Sequence, residues 1–246
     1  MIARALDDHA NELIQGLWIG SELSVMERLS ISSFLANGHP FDLYVYSDLP
    51  NVPDGTTIRD ANEIMPSSSI FRYRENGSYA GFSNFFRYEL LLQRGGWWVD
   101  LDTICMQPFT FGEDYVIGAE PVAAGGAHPI SGVLKTPPHS ELMTYLVQIC
   151  RSKDPNTITW GETGPRLVAE AVKRFSLEAY LQTSEVFCPI GWYEWDRILD
   201  AGLSISLHDS TRAVHLWNEM WRQDGKDKDA QYDPGCLYEL LKAKYL

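Results

Sequence analysis

The feature that most constrains this chain is a helix-length segment followed by two glycines, a short apolar strand and a pair of aspartates. Residues 82–94 have the apolar spacing of a helix, which the glycines at 95 and 96 end. Residues 97–99 (WWV) form an apolar strand that leads directly into Asp100 and Asp102. Because side chains alternate along an extended segment, both carboxylates point to one side. In α/β folds, ligands bind at the carboxyl end of such a strand.

Strand and helix patterns alternate along the chain and predict an α/β fold. Residues 17–20 predict a first strand. Residues 23–34 then predict a helix, which Ser21 caps and residues 37–38 end. Residues 41–46 predict a second strand. Turn-forming residues dominate 47–80, which predicts an irregular surface segment, and 222–233 is polar and expected to be mobile. The remaining patterns predict strands at 115–119, 130–135 and 213–216, and helices at 140–150, 165–175 and 237–245.

Composition excludes several classes of protein. Twenty Lys and Arg against 33 Asp and Glu give a formal net charge of −13, which disfavours binding to nucleic acid or to an anionic membrane surface. The four cysteines have no C-x-x-C spacing, so neither a zinc site nor a disulfide scaffold is indicated. Residues 1–16 lack the pattern of a secretory signal, and no apolar run reaches the roughly 20 residues of a membrane span. We therefore expect a cytoplasmic protein, soluble or at most peripheral to a membrane.

The aspartate pair predicts a cation site. Carboxylate oxygens are hard ligands that suit Mg²⁺ or Mn²⁺, whose other positions water and substrate phosphates can fill. On these residues alone, a metal site and a simple Asx-turn remain alternatives. A second pair, Asp227 and Asp229, lies in a polar run, where a solvated surface is the expected environment.

The wider sequence around this pair resembles the DXD-motif glycosyltransferases of family 32 and the related clostridial toxin glucosyltransferase domains. The eight positions that match the family's spacing are Ser83, Arg87, Tyr88, Gly95, Gly96, Trp98, Asp100 and Asp102. Stretches at 17–20, 59–66, 161–165 and 215–221 fit the same resemblance. The resemblance implies a single domain of GT-A type over 1–246, with a Rossmann-like mixed sheet flanked by helices. Its nucleotide-binding half would span about 14–110 and its acceptor-side half about 111–246.

The resemblance also implies an activity. The chain would be a metal-dependent, retaining hexosyltransferase that uses Mn²⁺ or Mg²⁺ and moves a hexose from a UDP- or GDP-sugar to a hydroxyl acceptor. A glycan or lipid-linked saccharide is the expected acceptor, in bacterial polysaccharide biosynthesis. The sequence leaves open the base, the hexose and the identity of the acceptor.

Site residues follow from the same resemblance, position by position. The catalytic residues would be Asp100, Asp102 and Arg87, with Arg87 beside the donor sugar and phosphates. Asp102 would be the direct metal ligand, and His215 and Asn218 would complete metal or diphosphate binding. The expected donor-binding residues are Trp18, which would stack on the base, with Ser83, Asn84, Arg87, Trp98 and Asp100.

Several alternatives stay open at this point. Asn84 stands where the family usually has aspartate, so the preferred donor sugar is open. His215 could equally be a buried core histidine, and Glu162 either an acceptor-side residue or a charge at a helix start. A phosphatase of the haloacid dehalogenase type with Asp100 as nucleophile is a second hypothesis, although Asp196 and Asp200 only loosely mimic its later acidic pair. A non-catalytic sugar-binding module is a third.

Overall fold

A computed structural model describes residues 12–202, 205 and 207–246. Its centre is a six-stranded mixed sheet in the order β3-β2-β1-β4-β7-β6. Strands β1 to β4 run parallel to one another where they pair, β7 is antiparallel to β4, and β6 is antiparallel to β7. The strands span Ile14–Trp18 (β1), Phe41–Val45 (β2), Thr56–Asp60 (β3), Gly96–Val99 (β4), Val116–Pro121 (β6) and Ala127–Thr136 (β7). The predicted α/β class is confirmed.

The order of the strands creates a switch point between β1 and β4. From β1 the chain moves outward through β2 and β3, then returns to add β4 on the other side of β1. Their pairing places Ile14 opposite Trp97, and the side-chain amide of Gln15 donates to the carbonyl oxygens of Gly95 (2.9 Å) and Trp97 (3.2 Å). Such a switch point leaves a crevice beyond the carboxyl ends of the two strands. Trp18 lies at the end of β1, and Asp100 directly follows β4.

Helices cover both faces of the sheet. On one face, α2, α3 and α4 bury Phe86, Trp98 and Leu134, and on the other α1 buries Phe34 beside Trp97 and Phe109. The helices span Val25–Ala36 (α1), Ala80–Arg94 (α2), Glu141–Ser152 (α3), Pro165–Arg174 (α4), Ser184–Phe187 (α5), Asn218–Gln223 (α6) and Leu237–Tyr245 (α7). Within the described ranges, no helix is long and apolar enough to cross a membrane.

A second, two-stranded sheet joins the middle of the chain to its last third. Strand β5 (Thr103–Cys105) pairs antiparallel with β8 (Ala213–His215), so that Thr103 lies opposite His215. The strand predicted at 213–216 is therefore confirmed, whereas β5 was not predicted. Trp221 is fully buried beneath this sheet, in a core that α1 and α7 share.

Two local predictions need correction. The cap of α1 is Ser24, which exchanges hydrogen bonds with Glu27 in a capping box, and not Ser21. The segment at 47–80 contains β3 and two short 3₁₀ helices, so it is only partly irregular. The prediction about a signal at 1–16 falls mostly on residues outside the described part of the chain.

Candidate active site

Asp100 is held in place by three elements as the chain leaves β4. Its backbone N–H donates to the carbonyl oxygen of Gly132 in β7 (2.8 Å). Its carboxylate forms an ion pair with Arg87 (Nη2 to Oδ1, 2.8 Å) and accepts the indole N–H of Trp98 (3.0 Å). The side chain of Asp100 keeps 29% of its surface exposed. It is therefore oriented by the protein and still open to a ligand.

Arg87 links α2 to the edge of the sheet. Its side chain is 3% exposed and its guanidinium lies 4.9 Å from the centre of the Trp98 ring. It donates to the Ser83 hydroxyl (3.0 Å) and backbone carbonyl (3.2 Å), and also to the Ser131 carbonyl. A planar guanidinium with five donors can satisfy this many partners at once. Its positive charge is thus fixed directly beside Asp100.

Asp102 meets the last third of the chain. One carboxylate oxygen accepts the backbone N–H of Asn218, at the start of α6 (2.8 Å), and the other lies 3.3 Å from Nε2 of His215. The His215 ring is held by the backbone N–H of Trp217, which donates to its Nδ1 (3.3 Å). Burial raises the pKa of Asp102 above its usual value, and His215 opposes that rise. Asp102 directly precedes β5, and His215 lies in β8, so the pairing of these two strands brings the two side chains together.

Asp100, Asp102 and His215 together offer a ligand set for a cation. One ligand atom from each lies within 4.8 Å of the others. Two carboxylates and one imidazole suit Mn²⁺, and the carboxylates alone suit Mg²⁺. Gly132 faces this group, and a Cβ atom at that position would lie 3.0 Å from Oδ2 of Asp100 and 3.5 Å from Nε2 of His215. The absence of a side chain at Gly132 therefore leaves open space beside Asp100 and His215.

Trp18 lines a separate part of the crevice, beside the start of α1. A cavity of about 350 Å³ lies there, lined by Trp18, Glu22, Leu23, Ser24, Arg28, Asn51, Lys228 and Asp229. Lys228 lies 5.6 Å from the centre of the Trp18 ring and is paired with the buried Glu27. Asp229 accepts the backbone N–H of Val25 (2.7 Å). The segment expected to be mobile thus makes defined contacts with the first turn of α1.

The structure gives the other expected donor-binding residues partners within the protein. Trp98 is 1% exposed, and its side chain contacts Asp100 and Arg87 from inside the core. Asn84 is 5% exposed, accepts from the Ser131 hydroxyl (3.2 Å) and donates to the Thr163 hydroxyl (3.4 Å). Thr163 belongs to the 161–165 turn, so that turn packs against α2 directly behind the site.

Glu162, in the same turn, is engaged elsewhere. Its carboxylate pairs with Lys153 (2.8 Å) and accepts the backbone N–H of Thr159 (3.0 Å). These hydrogen bonds lower the pKa of Glu162 to about 2. The residue therefore stabilises the loop before α4, and nothing in its contacts indicates an acceptor-side role.

Sequence reasoning missed Glu120, on β6. It lies opposite His128 in the β6–β7 pairing. Burial raises the pKa of Glu120, and His215 and His128 counteract this rise. Two residues of β7 were also missed as part of the site. Ser131 accepts a hydrogen bond from Arg87 through its backbone carbonyl, and Gly132 leaves room because it has no side chain. Neither feature has a recognisable pattern in the sequence.

The Asp-x-Asp pair follows β4, at the switch point of the mixed α/β sheet. Two family models match the chain: the glycosyltransferase sugar-binding region containing the DXD motif, over residues 24–123, and the alpha 1,4-glycosyltransferase conserved region, over residues 138–245. The first half of the chain thus matches a glycosyltransferase region with the DXD motif, the second half matches an alpha 1,4-glycosyltransferase region, and the chain is a transferase enzyme.

A solved glycosyltransferase structure has a similar fold. The PaToxG glycosyltransferase is 16% identical, with a TM-score of 0.50 over 69% of this chain and 72% of that chain. A transferase mutant with two cysteine-to-serine substitutions is 8% identical, with a TM-score of 0.42 over 66% of this chain and 83% of that chain. No curated protein matches the chain. The phosphatase and the non-catalytic module are not favoured by these findings.

Proposed function

We propose that the chain is a metal-dependent, retaining hexosyltransferase that uses a UDP- or GDP-hexose as donor and a hydroxyl group as acceptor. The observation that carries this proposal is the convergence of Asp100, Asp102 and His215 beside the buried Arg87. Glycosyl transfer itself follows from the family. Two carboxylates alone would repel a diphosphate, so a cation and a guanidinium at this position supply the charge that binding requires.

Asp100, Asp102 and His215 would hold Mn²⁺ or Mg²⁺, with the buried Asp102 as the most firmly fixed ligand. The fit rests on the ligand set and on the space beside Gly132. When bound, the ion would stabilise negative charge on the diphosphate. Asn218 orients Asp102 through its backbone N–H. Ligation by the Asn218 side chain remains a prediction.

The donor would extend from the Trp18 crevice to Asp100. Trp18 offers an indole face on which a base can stack, at the carboxyl end of β1. Arg87 and Asp100 lie where the phosphates and the sugar would then be. Because Trp98 is buried, we assign it the role of orienting these two residues from behind, and Ser83 and Asn84 lie on the same helix surface.

The reaction requires little covalent chemistry from the protein. The acceptor oxygen bonds to the anomeric carbon on the face that the diphosphate leaves, the bond to the diphosphate breaks, and the hydroxyl proton passes to a leaving phosphate oxygen. The role of the site is to place fixed positive charge where negative charge develops. A soluble, cytoplasmic enzyme of polysaccharide biosynthesis, acting on a glycan or a lipid-linked saccharide, is the setting we propose.

Slow hydrolysis of the donor by water tests this proposal without knowledge of the acceptor. The protein is incubated with a panel of UDP- and GDP-hexoses and either Mn²⁺, Mg²⁺ or EDTA, and free nucleotide is measured by chromatography. We expect one donor to be hydrolysed only with metal. Asp102→Asn should reduce the rate by at least about a hundredfold, in the range found when one electrostatic group of an active site is removed.

Asp54→Asn is the matched control, because Asp54 is exposed and remote from β4 in the fold. It should hydrolyse the donor at the wild-type rate. Hydrolysis that persists in EDTA, or equal rates for the two variants, would contradict the proposed metal site. Proton NMR of the first product formed reports whether the configuration at the anomeric carbon is retained.

A further inference from the structure

Two aromatic side chains stand exposed beside the candidate active site. Trp192 is 49% exposed and Tyr193 is 43% exposed. Their rings meet nearly at right angles (83°), with centres 5.9 Å apart. Val122, at the end of the adjoining hairpin, is 40% exposed. Large apolar groups grouped in this way on a protein surface mark interaction sites.

This aromatic pair is connected to the metal ligands through short contacts. The indole N–H of Trp217 donates to the Ile190 carbonyl (2.9 Å), two residues before Trp192. The Trp217 ring in turn lies 4.1 Å, centre to centre, from the ring of His215. Trp217 thus links His215 to the chain segment that leads into the aromatic pair.

The second connection runs through β6. A Cβ atom at Gly191 would lie 2.7 Å from the Tyr193 ring and 3.2 Å from Cγ of Pro121. Because glycine has no Cβ, Tyr193 can pack close to the end of β6. Glu120 immediately precedes Pro121. Within the described residues, the Glu120 carboxylate forms no hydrogen bond or ion pair, although it is partly buried. A carboxylate in that state is available to a ligand.

We propose that Trp192, Tyr193 and Glu120 form the acceptor subsite and that the acceptor is a neutral saccharide. This inference rests on the proposed function. Apolar ring faces with polar tips suit the C–H faces of a sugar ring, and Glu120 accepts hydrogen bonds from its hydroxyl groups. The net charge of −13 disfavours an anionic acceptor. Because Trp217 links this chain segment to His215, a bound hydroxyl would lie toward the donor site.

A binding experiment tests the subsite without donor. Neutral disaccharides of glucose, galactose and mannose are titrated into the full chain, and the tryptophan indole N–H signals are followed by NMR. We expect one disaccharide to shift the Trp192 signal, and Trp192→Ala to weaken its binding at least about tenfold, as for a residue that dominates an interface. Trp192→Phe keeps a ring and should restore part of the affinity. Equal affinity for wild type and Trp192→Ala would overturn the proposal.

A transfer experiment then separates acceptor from donor effects. With the donor identified by hydrolysis, Trp192→Ala and Glu120→Gln should each raise KM for the saccharide at least about tenfold and change KM for the donor less than about twofold. Ile58→Ala is the control, because Ile58 is 47% exposed on β3, at the opposite edge of the sheet. Transfer to a serine-containing peptide but to no saccharide would overturn the subsite. Absent donor hydrolysis in the wild type would instead count against the proposed function, and the binding experiment would still decide the subsite.

Discussion

Arg87 carries a full charge at a position that is 3% exposed. The fold offsets the cost of that burial because each guanidinium nitrogen has a protein partner, on Ser83, Ser131 or Asp100. Replacing Asp100 would leave the buried guanidinium without its carboxylate partner, at a cost of up to about 3–5 kcal/mol. Arg87 and Asp100 therefore depend on each other for stability before any donor binds.

Glu162 gives a prediction about pH at the residue scale. Its folded pKa of about 2 lies below the ordinary value of 4.5. The stability it contributes is thus fully present above pH 4.5 and is lost as the pH falls toward 2. Because the ion pair of Glu162 with Lys153 is partly exposed to solvent, this contribution is about 0.5–1 kcal/mol.

Urea unfolding of wild type and Glu162→Gln, at a series of pH values, measures this contribution. We expect the two free energies of unfolding to differ at pH 6 and to converge near pH 2. Lys153→Met, which removes the cation that pairs with Glu162, should reduce the pH dependence in the same direction. A constant difference between wild type and Glu162→Gln across the pH range would contradict the assigned pKa.

The site residues that could be predicted from the sequence are those that lie close together along the chain in a recognisable pattern. Asp100, Asp102 and Arg87 have fixed spacing along one helix–strand unit, so their proximity was predictable. His215 reaches them only by pairing across the chain, and its role could be inferred from family resemblance alone. Glu120 has no motif around it, and its position depends on the β6–β7 pairing, which a single sequence does not specify.

At the scale of elements, β7 is the part of the site that tolerates least change. Its Ser131 carbonyl accepts from Arg87, and its Gly132 faces Asp100 and His215. Strand β7 also pairs with both β4 and β6, so it connects the strand that ends next to Asp100 with the strand that carries Glu120. A side chain on this strand can therefore disturb the site without touching any of the expected ligands.

Gly132→Ala tests this role. The added methyl group would lie 3.0 Å from the Asp100 carboxylate, so the carboxylate must move. We expect the affinity for nucleotide plus Mn²⁺ to fall about ten- to hundredfold, corresponding to the roughly 1–3 kcal/mol typical of overpacking. Isothermal titration calorimetry measures the affinity, and circular dichroism should report an intact fold.

The matched control for this variant is Gly112→Ala, where a Cβ atom would have no neighbour within 4 Å. It should bind nucleotide and metal as the wild type does. If Gly132→Ala bound equally well, the space beside Gly132 would not be needed for the ion.

The elements that sequence patterns missed share a physical cause. Four of the five residues of β3 are exposed, so the strand lacks the apolar run that marks β1 and β2. Strand β5 is three residues long and is recognisable only from its pairing with β8. The cap of α1 was placed three residues early because serines stand at both 21 and 24, and only Ser24 has a glutamate three positions later.

At the scale of the whole molecule, the cores combine residues from both ends of the chain. Met26 and Leu29 of α1 pack in one cluster with Trp221 and Leu241. Phe41 and Val45 of β2 share another cluster with Phe187. The nucleotide-binding and acceptor-side halves expected from the sequence thus bury their apolar surfaces against each other.

This shared packing predicts cooperative unfolding. We expect one urea transition, with coincident midpoints for far-UV circular dichroism and tryptophan fluorescence, because neither half can lose its core alone. Addition of Mn²⁺ and the hydrolysed donor's nucleotide should raise the midpoint by mass action. Two separated transitions would show that the halves unfold independently.

The pairing of β5 with β8 has a consequence for biosynthesis. Asp100 and Asp102 leave the ribosome long before His215, and until β8 docks they have no imidazole beside them. A nascent or prematurely terminated polypeptide that ends before β8 therefore lacks His215 beside the two aspartates. The Asp-Asp-His cluster is complete only after translation has passed β8.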